Sequence, residues 1–286
     1  MFYKHVDVFS KIPFSGNSLS VFFLPEMLTT AKMQKITEEM RHFESIFLCS
    51  INNNNHEYYA RIFTVEEELD FAGHPLIGAA CAVHDKYYPD SNSSIITFKL
   101  NTRLVEISTI RTGAYYSATM NQGVPEFLST VPLNLIDDFL AAFNISKNNL
   151  ADLPLEVIST GLSYLIVPLK FGLEEVKHNN VVSLLSLVNA KFVYFYDVLK
   201  QEGRTWDNDG NIEDVATGSA AGPIGAYLIK HGMAKLNETI IIHQGAFLGR
   251  PSELKITGYG KGNKIDKITV SGDTCMIGSG CISAII

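Results

Sequence analysis

Apolar residues alternate with polar ones over much of this chain, the period of a half-buried strand. "KHVDVF" and "SLSVFF" read as two strands around the turn Pro13-Phe14-Ser15-Gly16-Asn17. "SIFLCSI", "YYARIFTV", "SIITFKL" and "RLVEISTI" add four more, with "INNNNHE" as a polar hairpin-like loop. Two stretches change period. "TTAKMQKITEEMRH" puts Met33, Ile36 and Met40 at helical spacing, with Thr29 or Thr30 as the cap. "FAGHPLIGAACAVHDKYY" predicts a helix from His74 or Pro75, since proline is tolerated in the first helical turn. No low-complexity linker divides the chain, and "NQGVPEFLSTVPLN", residues 121–134, is the best candidate boundary.

The second half repeats the plan of the first. "GHPLIGAA" begins at Gly73 and "GSAAGPIG" at Gly218, 145 residues later in a chain of 286. Each follows an acidic, turn-like approach, "EEELDFA" and "NIEDVAT", and each opens a helix of small residues. Small residues let a helix pack closely inside a sheet. They also leave the first backbone N–H groups accessible, and a helix N-terminus attracts an anion. Gly73 and Gly218 would admit a carboxylate to the backbone, with His74 and Ser219 at the corresponding cap positions and Asp214 at the rim of the second helix. From residue types alone, Asp214 reads equally as a turn or N-cap acid. Glu44 reads as an exposed acid just after a helix ending near His42.

Composition narrows the partner. With 46% hydrophobic and 19% charged residues the chain is globular, long enough for one large or two ordinary domains. A net charge of −7, with no run of Lys or Arg, argues against a nucleic-acid groove or an anionic membrane surface and favours a small molecule. No stretch reaches the roughly 18 apolar residues of a spanning helix. The amino terminus lacks the apolar core of a signal peptide. Cys49, Cys81, Cys275 and Cys281 form no CxxC pair, which fits reduced thiols in a cytoplasm rather than a disulfide framework or zinc site. The histidines show no HExxH spacing, so no metal is expected. "GYGKGN" from Gly258 reads as a tight turn rather than a phosphate loop, and Ser219 lacks the G-x-S-x-G context of a nucleophile elbow.

Five stretches in order, "VDVFSKIPFSGN", "ESIFL", "RIFTVEEELDFAGHPLIGAA", "EDVATGSAAGPIGAYL" and "QGAFLGRPS", resemble the phenazine-biosynthesis (PhzF-like) family across the whole chain. That resemblance implies an α+β, diaminopimelate epimerase-like fold of two pseudo-repeated domains, each a curved, mostly antiparallel sheet wrapped around a central helix. The halves would be residues 1–120, rejoined by the last strand at about 279–286, and 121–278. The resemblance further implies a homodimer and a cofactor-independent isomerase that moves a proton, and with it a double bond, on a small carboxylate such as a dihydro-hydroxyanthranilate. Glu44 in "FESIF" matches the family's general acid/base, with His74 and Asp214 beside it in catalysis and Gly73, Gly218, Ser219 and Asn17 binding substrate. Abstracting a weakly acidic C–H proton needs preorganised donors for the developing charge. Related epimerases carry two cysteine bases, matched here by Ala72 and Thr217, so a two-thiol racemase is not expected. Two alternatives stand: an epimerase using Glu44 and Asp214 as two carboxyl bases, and a non-catalytic small-carboxylate-binding protein. Asp70, Leu76, Val215 and "GNS" depart from the family pattern and bear on substrate.

Overall fold

In the computed structural model, which describes residues 1–51, 54–262 and 264–283, the chain forms two compact units. The first comprises Met1–Asn121 and Ser271–Ile286, the second Gln122–Val270. Asn52 and Asn53, in the expected hairpin-like loop, and residues 284–286 of the expected last strand lie outside the described residues.

Unit 1 contains strands β1 (Phe2–Val8), β2 (Asn17–Leu24), β3 (Glu44–Ile51), β4 (Asn54–Thr64), the two-residue β5 (Glu68–Leu69), β6 (Ser93–Lys99), β7 (Leu104–Thr112) and β8 (Tyr115–Gly123). Its helices are α1 (Thr30–Met40) and α2 (Gly73–Tyr87). Unit 2 contains β9 (Glu126–Thr130), β10 (Glu156–Ser159), β11 (Ser163–Leu169), β12 (Phe192–Asp197), β13 (Glu202–Arg204), β14 (Thr239–Gln244) and β15 (Ser252–Lys261). Its helices are α3 (Leu133–Ala142), α4 (Val182–Ser186) and α5 (Gly218–Lys230). The last strand, β16 (Lys264–Cys281), begins in unit 2 and ends in unit 1.

The strand order in unit 1 is β1-β2-β3-β4-β6-β7-β8-β16, and β1 also pairs antiparallel with β16, Phe2 opposite Cys281 and Val8 opposite Thr274. The sheet thus closes around α2, leaving the helix no solvent face. Every residue of α2 from Gly73 to His84 is buried, which explains why its sequence shows no polar stripe. In unit 2 the order is β16-β15-β14-β13-β12-β11-β10-β9, and α5, again apolar all round, packs on β15, β10 and β11. Parallel pairings occur at matching places: β2–β3 and β11–β12 flank one crossover, β4–β6 and β13–β14 flank the buried helix. The β1–β2, β3–β4, β6–β7, β7–β8, β9–β10, β10–β11, β12–β13 and β14–β15 pairings are antiparallel. This is the α+β architecture of a curved, mostly antiparallel sheet around a central helix, twice over.

The small residues of the two helices have a measurable reason. A Cβ at Gly78 would lie 2.7 Å from both Leu19 Cδ2 and Val8 Cγ2, and one at Gly225 would lie 2.4 Å from Ile256 Cγ2. Strand side chains therefore rest directly on helix backbone. A second apolar layer covers the outside of each sheet. Met33 and Ile36 of α1 pack on Phe22, Phe47 and Phe63 in unit 1, and Phe139 and Phe143 pack with Phe195 in unit 2.

Helix starts differ slightly from the sequence expectation. Both central helices begin at their glycine, with Ala72 and Thr217 as the N-caps. His74 and Ser219 are accordingly the second residue of each helix rather than its cap. Ala72 is extended (φ −146°, ψ 138°), and the glycine supplies the first turn without side-chain bulk.

Candidate active site

Glu44 is not the surface acid that its residue type suggested. Helix α1 ends at Met40, and Arg41 in the left-handed region (φ 55°) turns the chain back, so that Glu44 opens β3. There it pairs with Leu19 of β2 on one side and Thr64 of β4 on the other, and only 5% of it is exposed. A carboxylate so placed needs a partner. His74, 4% exposed in the first turn of α2, supplies it: Nδ1 lies 2.9 Å from Glu44 Oε2. The approach is within ion-pair range but off the line of a ring N–H, so Oε2 takes no aligned hydrogen bond among the described residues. Such loose pairs tighten when a reacting group arrives. Asn17, buried at the start of β2, places Nδ2 3.4 Å from the same His74 nitrogen.

Three residues 57 or fewer positions apart in sequence thus meet through strand pairing and a helix end. Chemically the cluster is a carboxyl and an imidazole that can hold one proton at either of two facing atoms, with an amide orienting the ring. Gly73 opens the same helix, and Ala72 makes no side-chain cap hydrogen bond to it.

In unit 2, Gly218 and Ser219 open α5, and Thr217 likewise provides no side-chain cap. Instead the Thr217 hydroxyl donates to Asp214 Oδ2 (2.6 Å), and the Ala216 N–H approaches Oδ1 at 3.4 Å. Asp214, half-buried, therefore braces the turn that leads into the helix, the role its residue type allowed. Ser219 Oγ lies 2.7 Å from the Tyr164 hydroxyl, and Gln122 Nε2 donates to the Gly218 carbonyl at 2.8 Å. Tyr164, Gln122 and Gln244 were not singled out from residue types, because their proximity to the helix end is created by tertiary pairing. The one available signal was the glutamine that opens "QGAFLGRPS".

The thiols lie elsewhere. Ala72 and Thr217 occupy the helix-cap positions, and Cys81 lies inside α2, its thiol pushed up to about 12 by burial. Burial also raises Cys275 and Cys49. All four cysteines are free.

Known proteins share this fold. A family described as phenazine biosynthesis-like protein matches residues 6–280. The trans-2,3-dihydro-3-hydroxyanthranilate isomerase of Pseudomonas fluorescens is 30% identical over 98% of both chains. A solved structure described as a predicted epimerase of Pseudomonas aeruginosa superposes with a TM-score of 0.93 at 40% identity, covering 99% of each chain. A PhzF-family protein of Bacillus anthracis shares the fold at a TM-score of 0.80 and 23% identity, covering 98% of each chain.

Proposed function

The chain belongs to the phenazine biosynthesis-like protein family and is an isomerase, and from that premise we propose that it moves a proton, and with it a double bond, on a small carboxylate, without a cofactor. The observation that carries this reading is the buried Glu44–His74 pair, a proton-transfer group held at 2.9 Å on a rigid strand and helix end.

In the proposed reaction the Glu44 carboxylate takes a proton from an activated carbon beside a double bond. The C–H electron pair forms the new double bond as the old one shifts. The same proton, or one exchanged for it, is returned to the far end of the system. Charge and oxidation state balance, since one proton leaves and one returns. His74 shares the proton that Glu44 acquires, and Asn17 fixes the ring. Gly73 offers a backbone N–H for the carboxylate at the end of α2. In unit 2 we assign Gly218 and Ser219 to substrate polar groups and Asp214 to a hydrogen-bond acceptor role, through which it takes part in catalysis. Acting as a homodimer in the cytoplasm belongs to the same proposal. Its support is the resemblance and four free thiols, and sedimentation of the purified protein tests the dimer. Among the described residues no helix is long and apolar enough to cross a membrane.

A second reading is epimerisation by Glu44 and Asp214, favoured by the description of the 40%-identical structure as a predicted epimerase. One experiment separates them: NMR in D2O with trans-2,3-dihydro-3-hydroxyanthranilate and related small carboxylates, using wild type beside Glu44→Gln. Double-bond movement with deuterium at the receiving carbon, in wild type alone, supports the isomerase. Deuterium at an inverted stereocentre with the double bond in place supports the epimerase. Binding without exchange overturns both.

A further inference from the structure

Gln244 ends β14 and is 1% exposed. Its amide uses all four of its hydrogen-bonding positions. Oε1 accepts from the Thr217 N–H (3.1 Å) and the Tyr194 hydroxyl (3.2 Å). Nε2 donates to the Asp214 carbonyl (2.8 Å) and to Thr217 Oγ1 (3.0 Å). The donor and acceptor ends are therefore fixed by their partners. The next residue closes on the same turn: Gly245 (φ +85°) sits where a Cβ would be 2.7 Å from the Val215 carbonyl oxygen and 2.5 Å from that of Arg250.

We propose that Gln244 is a positioning residue: it sets the Asp214–Thr217 turn, and through it aims the first N–H groups of α5 at a substrate carboxylate. The inference rests, for its kinetic consequence, on the functional reading above. Nε2–H donates to Thr217 Oγ1, and the threonine hydroxyl donates in turn to Asp214 Oδ2, a carboxylate oxygen that can only accept. One buried amide thus heads a two-step relay. A carboxylate at this position reverses it. It supplies no donor to the Asp214 carbonyl, competes with Asp214 for the threonine proton, and adds a negative charge beside an anion-binding helix end. Protonating that carboxylate restores one donor.

The test is Gln244→Glu beside wild type, measured by NMR titration with anthranilate as a non-reacting carboxylate and by deuterium exchange on the substrate. At pH 8 the variant is expected to bind anthranilate at least tenfold more weakly, with the loss of kcat/KM carried by KM. Near pH 5.5 its affinity is expected to return to within threefold of wild type. A wild-type affinity at pH 8, or an equal deficit at both pH values, overturns the proposal. Should Gln244→Glu fail to fold, Thr217→Val, which removes the relay hydroxyl, is expected to raise KM about tenfold and Thr217→Ser to restore it; equal KM for the two overturns it. Wild type that binds anthranilate but exchanges no proton with any carboxylate overturns the isomerase reading instead, and the pH-dependent affinity still decides Gln244.

Discussion

The two units build the same helix end and equip it differently. Five residues before each opening glycine stands a glutamate, Glu68 before Gly73 and Glu213 before Gly218, and each is gripped by an arginine. Arg61 Nε donates to Glu68 Oε1 at 2.7 Å, and Arg204 donates to both Glu213 oxygens at 2.7 Å. At the far end of the helices the pattern recurs with its signs exchanged. Asp85 of α2 is paired with Lys4 of β1, whereas Lys230 of α5 is paired with Glu156 of β10. The second residue of each helix departs. His74 faces a carboxylate in unit 1, and Ser219, 145 residues on, faces the phenol of Tyr164. Scaffold pairs tolerate a swap of sign because either order neutralises a charge that is at least partly shielded from water. The pair proposed for proton transfer does not, because abstraction from carbon needs a base at a fixed place.

The largest expected effect tests that division directly. Glu44→Gln should lower deuterium exchange by roughly 10²–10⁴-fold, the usual share of a general acid/base, while leaving carboxylate affinity close to wild type. Ser219→Ala should act mainly on KM, and by about tenfold, the worth of one hydrogen bond to a charged group. Equal losses of kcat in the two variants would erase the distinction between a catalytic and a binding unit.

Next in size is the pair of arginine clamps. Arg204 is 9% exposed, donates also to the Leu173 carbonyl at 2.9 Å, and lies over the rings of Trp206 and Phe247, each 4.4 Å away. Replacing Glu213 by leucine strands that buried cation and should cost about 3–5 kcal/mol. The side chains of Arg61 and Glu68 are each 20% exposed, so water compensates part of the loss and Glu68→Leu should cost about 1 kcal/mol. Denaturant midpoints at pH 7 decide whether the ranking holds.

The helix glycines give a smaller and more even effect. Ala at Gly78 must displace Leu19 and Val8, and Ala at Gly225 must displace the stiff, β-branched Ile256. Each substitution should destabilise by about 1–3 kcal/mol, less the small gain of replacing helical glycine. If either proves neutral in thermal unfolding, that helix is not held against its sheet by backbone contact.

How much of this was legible follows from what each feature depends on. The small-residue helices and their 145-residue offset are local patterns, and so were readable as repeats. The closed sheet around α2 came through the resemblance, since periodicity cannot say which strands become neighbours. Glu44 was legible as a matched motif, but not as a buried carboxyl. Its burial arises from pairing with Leu19 and Thr64, 25 and 20 residues away. The clamps were present in "EEELDFA" and "NIEDVAT", yet nothing in either stretch names the arginine that answers it. Gln244 shows the limit most sharply: a glutamine at the end of a strand is unremarkable until four hydrogen bonds to three residues of two distant segments converge on it.

The smallest effect carries an opposite sign in the two units. Hydrogen bonds from Arg61, and secondarily from Asn101, hold the Glu68 carboxyl below the ordinary value of 4.5. A depressed group stabilises above the unfolded value, and its contribution is lost as pH falls below 4.5 through the folded one. Burial, opposed by the Ala246 N–H, raises Glu202 above 4.5, and its Oε1 meets no donor among the described residues. A raised group favours folding while protonated, and that advantage disappears as pH rises from 4.5 through the folded value. Glu202→Gln should therefore stabilise the protein at pH 7 by on the order of 1 kcal/mol, since a neutral amide no longer needs the solvation that burial removes and can still accept from Ala246. The gain should shrink to nothing toward pH 4, where wild type is itself neutral at this position. Glu68→Gln should do the reverse, destabilising at pH 7 and converging with wild type only in acid well below 4.5. Unfolding midpoints of both variants at pH 4 and pH 7 check the two signs together. A loss of stability in Glu202→Gln at pH 7 would mean that the carboxylate is held by the charge of Arg204 more strongly than burial disfavours it.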